Sequence, residues 1–437
     1  MNQTQPATEE KSKHEQIIEI VDQVVTASTE LGIAHVATED DELDGRHIRI
    51  NGKDLLNFGS CSYLGLELDP RIKAGAMEAT QRYGTQFSSS RAYVSVGLYT
   101  ELETLFNKIF NKPVIMCPSV TLAHLSNVPV LVGDQDAVIM DAQVHECVQT
   151  AVQLVKPRNV TVEMIRHNRM DALEDKIKSL RDKHKKIWYM ADGVYSMHGD
   201  FAPLAELERL LNTYEQFHLY IDDAHGMSWA GKHGAGYVLS QIDFHPRMYL
   251  VTSTNKSFAA AGGLLVFPDK ESRRKVRNCG KTLIFSGPIQ PPMLGAGIAS
   301  AKIHLSNEIY TLQKQLQESI RFFNSTAKMY DLPLIDECSS PINFIGVGKP
   351  AVGYSMVKRL MNLGYYINLS VYPSVSYNHT GLRIPVNLHH TREDIDQVLK
   401  AIASQLPLAL QDANSSVSDI QKAFKLNGTK KLNKEQA

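Results

Sequence analysis

The 437-residue sequence is short of several things that would define its class. It has five cysteines, an odd number, scattered at Cys61, Cys117, Cys147, Cys279 and Cys338 with no CxxC pair. That spacing argues against a zinc site or a disulfide framework and fits a reducing compartment. It lacks net charge: 46 Lys and Arg face 47 Asp and Glu, a formal charge of −1. Electrostatic binding to nucleic acid or to an anionic membrane is therefore not expected. No apolar run is long enough to span a bilayer. The opening "MNQTQPATEEKSKHEQ" has no apolar signal-peptide core, so a cytoplasmic location is the expectation. There is no internal repeat. What remains is ordinary for a soluble globular chain, 43% hydrophobic and 21% charged, and long enough for a large core with a satellite domain.

The organisation is read from periodicity. Residues 1 to about 12 form a flexible lead. Glu15 to about Leu31 has helical spacing, with Ile17, Ile18, Ile20, Val21, Val24 and Val25 as an apolar stripe. That stripe suits either its own core or a second subunit. "HIRINGKDLLNFGS" alternates around Asn51-Gly52, a hairpin signal. From about 66 to 270, short apolar runs end in polar or small residues: "KPVIMCP", "DAVIMDA", "VTVEMIRH", "KIWYMADGVYS", "FHLYIDDAHG" and "RMYLVTSTNK". Amphipathic helices such as "RMDALEDKIKSLRDKH" and "PLAELERLLNTYEQF" lie between them. The alternation predicts an α/β fold with an open, mostly parallel sheet between helices, whose ligand lies beyond the strands' carboxyl ends. A long helical segment follows over about 291–330. A smaller α/β unit, with "PINFIGVG" and "GLRIPVN" as strands, runs to about 407. The expected parts are an N-terminal segment 1–54, a large domain 55–290, a connecting helix with a small domain 291–411, and a loose polar tail 412–437.

The strand ends carry chemistry. "FHLYIDDAHG" delivers Asp222, Asp223 and His225; "ADGVYSMHGDFAPL" delivers Asp192 and Ser196; "AQVHECV" delivers His145. Ser119, Val120 and Thr121 sit where a helix begins, and a helix start binds phosphate through free N–H groups and its dipole. In "YLVTSTNKSFAAAGGLLVF", Lys256 is the single amine between an apolar strand and a Gly-Gly turn, a placement that suits a nucleophilic Schiff-base lysine. Each feature alone reads more readily as structural. Together they supply an amine for an aldehyde, a carboxylate for a pyridinium nitrogen, a ring to stack and a phosphate cradle, the needs of pyridoxal 5'-phosphate.

The sequence resembles the α-oxoamine synthase family of fold-type I pyridoxal phosphate enzymes. The similarity is carried by eight collinear segments: "LLNFGSCSYLGLELDP", "YGTQFSSSRAYVSVGLYTELE", "DAQVHECV", "HNRMDALE", "DGVYSMHGDFAPL", "DDAHGMSWAGKHGAG", "STNKSFAAAGG" and "HTREDID". The resemblance implies a seven-stranded large domain, a smaller C-terminal domain and a homodimer with shared sites. It implies that Lys256 anchors the cofactor and moves the proton at the amino acid Cα. Asp222 would keep the ring nitrogen protonated, His225 would bond the phenolic oxygen with Ser196 nearby, and His145 would stack on the ring. Ser119, Val120, Thr121 and Ser253 would hold the phosphate, with Ser286 reaching in from the neighbouring subunit. Arg383 would grip the substrate carboxylate, with Asp192 and Cys61 also in the substrate shell.

The implied reaction is a decarboxylative condensation of a small amino acid with an acyl thioester, on coenzyme A or a carrier protein, to an α-amino ketone. The sequence departs from the family's usual pattern mainly outside the cofactor core. Val120-Thr121 replaces Gly-Tyr or Gly-Phe, Cys61 replaces Asn, and "HEC" replaces "HAS". Asp192 replaces Glu, Asn255 replaces Ser before the lysine, and an Arg-x-Arg pair is reduced to Gly381-Leu382-Arg383. Two other readings stand beside the synthase: an aminotransferase of the same fold, which would use the same Lys256 and Asp222, and a non-catalytic partner subunit. The "HGD…APL" and "HT.ED" segments disfavour the first, and the retained lysine, aspartate and histidine disfavour the second.

Overall fold

The structure is a computed structural model and describes residues 11–337 and 339–426. Most of the expected N-terminal lead, Cys338 and the end of the tail lie outside the described residues.

Two sheets organise the chain. The larger has seven strands: β3 (Val114–Cys117), β4 (Ala137–Asp141), β5 (Thr161–Ile165), β6 (Ile187–Asp192), β7 (Phe217–Asp222), β8 (Met248–Ser253) and β9 (Gly263–Val266). Their spatial order is β3-β9-β8-β7-β6-β4-β5. Only β9 runs against its neighbours. β4, β6 and β8 are buried along their whole length, and β7 at every residue but His218, as expected of strands covered by helices on both faces. Alternate residues feed two cores: Leu219 and Ile221 of β7 enter one, Tyr220 the other. The polar residues that end the apolar runs, Asp141, Asp192, Asp222 and Ser253, therefore gather along one sheet edge.

The second sheet joins the two ends of the sequence. β1 (His47–Ile50) and β2 (Lys53–Phe58) form the expected hairpin, with Asn51 and Gly52 at φ 52° and 70° in its two-residue turn. β2 then pairs in parallel with β11 (Tyr365–Ser370), which leads to β12 (Thr380–Pro385) and β10 (Ile342–Gly348). The strand Lys53–Phe58 thus runs across the expected boundary at residue 54.

Two expectations differ from the structure, and one left open is narrowed. The segment 291–330 is two helices, Pro291–His304 and Glu308–Met329, broken at Leu305–Asn307. The tail is not loose from residue 412. Ser416 and Asp419 form a capping box that starts a helix at Val417–Phe424, and Phe424 packs against Phe344 and His379. The apolar stripe of the helix Lys13–Glu30 is not covered by its own core: Ile17, Ile18 and Ile20 are exposed.

Candidate active site

At the carboxyl edge of the large sheet lies a cavity of about 200 Å³. Its wall includes Ser119, Val120 and Thr121, then His145 and Asp192, then Asp222 and His225, and finally Ser253 and Lys256. Nine of the expected site residues, from five separate segments, meet in this one space.

Asp222 is the last residue of β7 and is buried. Its Oδ1 accepts the Ala224 N–H at 2.9 Å, and its Oδ2 meets His124 Nε2 at 2.8 Å. His124 Nδ1 in turn meets the Tyr220 hydroxyl at 2.8 Å. An ionised carboxylate only accepts, so Nε2–H donates to Asp222. Burial pushes the Asp222 carboxyl up, but the hydrogen bond and charge of His124, helped by the Lys256 charge, outweigh it and hold the group below the usual carboxylate range. Asp192, opposite Asp222 in register, goes the other way. Burial and the Asp222 charge push it well above the carboxylate range, so it stays neutral while its Oδ1 accepts the His145 N–H at 3.1 Å.

Asp223 does not share the site. The next residue of a strand points to the opposite face, and there its side chain lies against Gly193, Gly226 and Gly236 while Oδ2 accepts the Val238 N–H. A Cβ at any of the three glycines would come within 2.5 Å of an Asp223 oxygen.

His225 is buried, and burial followed by the nearby Lys256 charge holds its imidazole well below the usual value. Its Nδ1 lies 2.8 Å from the Tyr63 hydroxyl. With Tyr63 donating there, the neutral ring carries its proton on Nε2. His145 caps the helix Glu146–Gln153, its Nδ1 accepting the Cys147 N–H at 3.2 Å.

Lys256 follows β8 in a turn closed by pairing between Thr254 and Gly262, whose N–H also reaches Asn255 Oδ1 at 2.5 Å. Gly262 has φ +126°, and a Cβ there would meet Cys117 O at 2.7 Å, so this turn needs glycine. Asn255, where the family usually has serine, is therefore part of the turn that presents the amine.

Ser119 caps the helix Val120–Leu131, accepting the Leu122 N–H at 3.2 Å. The N–H groups of Val120 and Thr121 have no carbonyl within the helix to bond, and both residues line the cavity that Ser253 also lines. Gly263 of β9 makes room for this end: a Cβ there would lie 2.7 Å from Val120 N.

Arg383, Cys61 and Ser196 form an adjoining cluster. Arg383 Nε donates to Ser196 O at 2.7 Å, and its two terminal nitrogens lie 3.6 and 3.5 Å from Cys61 Sγ. Ser196 lines a larger, neighbouring cavity that His145 shares. Ser286 does not line the cavity of its own chain; its hydroxyl donates to Thr282 O beside the exposed Phe285.

The donor set fits pyridoxal phosphate. It offers an amine, a buried ionised carboxylate, a neutral imidazole carrying one N–H, and unpaired backbone N–H groups at a helix start beside Ser253. Sequence reading missed His124, Tyr220, Tyr63 and Cys147. His124 stands one turn beyond Val120 in "VTLAHLS", where a polar ring inside an otherwise apolar helix was the available signal.

The aminotransferase class I and II family matches residues 53–402. The chain belongs to that family. Within it, the relatives are α-oxoamine synthases. An 8-amino-7-oxononanoate synthase of Maricaulis maris is 30% identical over 371 residues, 84% of this chain and 91% of its own length. A serine palmitoyltransferase of Bacteriovorax stolpii is 27% identical over 371 residues, 83% of this chain and 85% of its own. Among solved structures, a serine palmitoyltransferase from S. paucimobilis with bound PLP–myriocin aldimine superposes with a TM-score of 0.83. It covers 91% of this chain and 99% of its own at 21% identity, which establishes the fold-type I fold. Among the described residues no helix is long and apolar enough to cross a membrane.

Proposed function

We propose that the chain is a pyridoxal-phosphate-dependent acyltransferase, an α-oxoamine synthase. It joins a small amino acid to an acyl thioester, releasing carbon dioxide and the free thiol and leaving an α-amino ketone. The similarity to α-oxoamine synthases over more than four-fifths of the chain supports the reaction type, and the buried Asp222 carboxylate, held ionised by His124 in the same cavity as the Lys256 amine, supports the cofactor chemistry. When bound, the cofactor supplies an aldehyde for an amine and a protonated ring that takes up electrons from the amino acid Cα.

The residues divide the remaining work. Lys256 would hold the cofactor and take up the Cα proton of the substrate. Asp222, ionised, keeps the ring nitrogen protonated, and His124 keeps Asp222 ionised. His225 presents its Nε2–H to the phenolic oxygen, a tautomer supported by the Tyr63 contact. The Val120 and Thr121 N–H groups and the Ser119 and Ser253 hydroxyls hold the phosphate. His145, which lines the same cavity, would cover one face of the ring. Arg383 orients the substrate carboxylate, so that the bond to be broken at Cα stands where its electrons can be taken up.

The reading includes a homodimer. The exposed Tyr93, Val94 and Phe285 support it. Their segments touch through the Ser90 hydroxyl, which donates to Ile284 O at 2.7 Å, near Ser286.

A time course of free thiol tests the function. Purified protein loaded with pyridoxal phosphate is given an acyl-coenzyme A together with glycine, L-alanine or L-serine. Thiol release that requires both an amino acid and Lys256 is expected. Release without any amino acid would mean simple thioester hydrolysis and would reject the reading.

A further inference from the structure

Arg383 lies in the middle strand of the β11-β12-β10 group and is nine-tenths buried. A guanidinium is always charged and carries five donors. Burying one without an anion is costly. Among the described residues no carboxylate pairs with it; its neighbours are Ser196 O, Cys61 and Tyr63. Both terminal nitrogens converge on one sulfur, at 3.6 and 3.5 Å. A neutral thiol is a weak acceptor and gives two charged donors little; a thiolate gives them a full counter-charge.

The surroundings favour that thiolate. Burial opposes ionisation of Cys61, but the Arg383 charge and hydrogen bonds, helped by the Lys256 charge, outweigh it, so the thiol titrates below its usual value. Tyr63 cannot be the anion instead: burial and the Cys61 charge hold its phenol well above the normal range. The same hydroxyl reaches His225 in the cofactor cavity.

We propose that Cys61 is an internal counter-anion for Arg383, which the carboxylate of the incoming amino acid displaces, and that Cys61 thereby sets the affinity for that substrate. The proposal rests on the function proposed above for the role of Arg383. The asparagine usual at this position in the family carries no charge and would not compete. With cysteine, the substrate meets a guanidinium already neutralised once Cys61 has ionised. The KM for the amino acid therefore climbs as pH rises through the Cys61 titration, and alkylating the sulfur blocks the carboxylate position.

The thiol can be read directly. In pyridoxal-phosphate-loaded enzyme, iodoacetamide is titrated across pH and the alkylated peptides are separated by mass spectrometry. The sulfur attacks the methylene carbon, iodide leaves and a thioether forms. Cys61 is expected to react with a half-maximal pH below the ~8.5 of a free thiol. Arg383→Gln is expected to slow its alkylation at neutral pH about tenfold or more, one unit or more of shift. The exposed Cys279 should react alike in both proteins. Glycine, L-alanine or L-serine should slow Cys61 alkylation in the wild type, and their methyl esters should not. If Arg383→Gln does not fold, this ester comparison decides. Independently, Cys61→Ser should remove the climb of KM with pH. A Cys61 profile like that of a free thiol, unmoved by Arg383→Gln, overturns the proposal. Because alkylation reads the sulfur and not turnover, that failure would leave the synthase reading standing, and a failed synthase reading would leave this result intact.

Discussion

Asp222 stays ionised although burial opposes it, because His124 donates to one of its oxygens and the Lys256 charge lies close by. Single substitutions separate these contributions. Lys256→Ala is expected to take turnover below detection while the melting temperature stays near that of the wild type, since the side chain makes no packed core. Asp222→Asn removes the charge that keeps the ring nitrogen protonated and is expected to slow Cα proton exchange by orders of magnitude, followed as deuterium uptake into the amino acid. A hydrogen bond to a charged group contributes about 1.5–3 kcal/mol. His124→Leu, which removes one, should therefore weaken cofactor binding about tenfold or more, measured by the recovery of the cofactor's absorbance. Asp222 and Lys256 were legible in the sequence because each closes an apolar strand. His124 was not, because its partner lies 98 residues away and only the fold brings the two together.

At the scale of elements, the loop between β5 and the helix Met170–Leu180 is held by His167, whose nitrogens reach Asp141 and Asp200 at 2.8 and 2.7 Å. Burial lowers this imidazole, but the two carboxylates more than compensate and raise it to about 9. A free imidazole titrates near ~6.5. The native state therefore binds a proton there that the unfolded chain releases between these values. The stabilisation is complete below about pH 6.5 and is lost as pH rises through about 9. The melting temperature should fall over that interval, and His167→Gln should remove this part of the slope; equal slopes would show that the pair is not coupled to folding. The parallel strands β3 to β8 were legible because each is a short apolar run ended by a polar residue. β9 lay unmarked inside the stretch around Lys256, and β2 could not be assigned to β11, because pairing across some 300 residues leaves no local pattern. The break at Leu305–Asn307 carries neither proline nor glycine, so periodicity ran through it. The helix Val417–Phe424 was masked by polar composition, although its Ser416–Asp419 cap is visible in hindsight.

At the scale of the whole molecule, a single chain leaves Tyr93 and Phe285 on its surface, 89% and 83% exposed. Covering them with a second copy would remove that apolar area from water and bring Ser286 towards a partner's site. Phe285→Glu is accordingly expected to shift the protein from dimer to monomer in light scattering and to lower activity with it; a stable, fully active dimer would place the interface elsewhere. The family contains both amino-group transfer and carbon–carbon bond formation, and Lys256 with Asp222 serves either, so the products decide between them. The most direct measurement is mass spectrometry of a reaction containing the protein, pyridoxal phosphate, small amino acids and acyl thioesters of several chain lengths. A new α-amino ketone, formed with equimolar free thiol and absent with Lys256→Ala, is the predicted result. Keto acid and pyridoxamine phosphate without free thiol would contradict it and make the chain an aminotransferase.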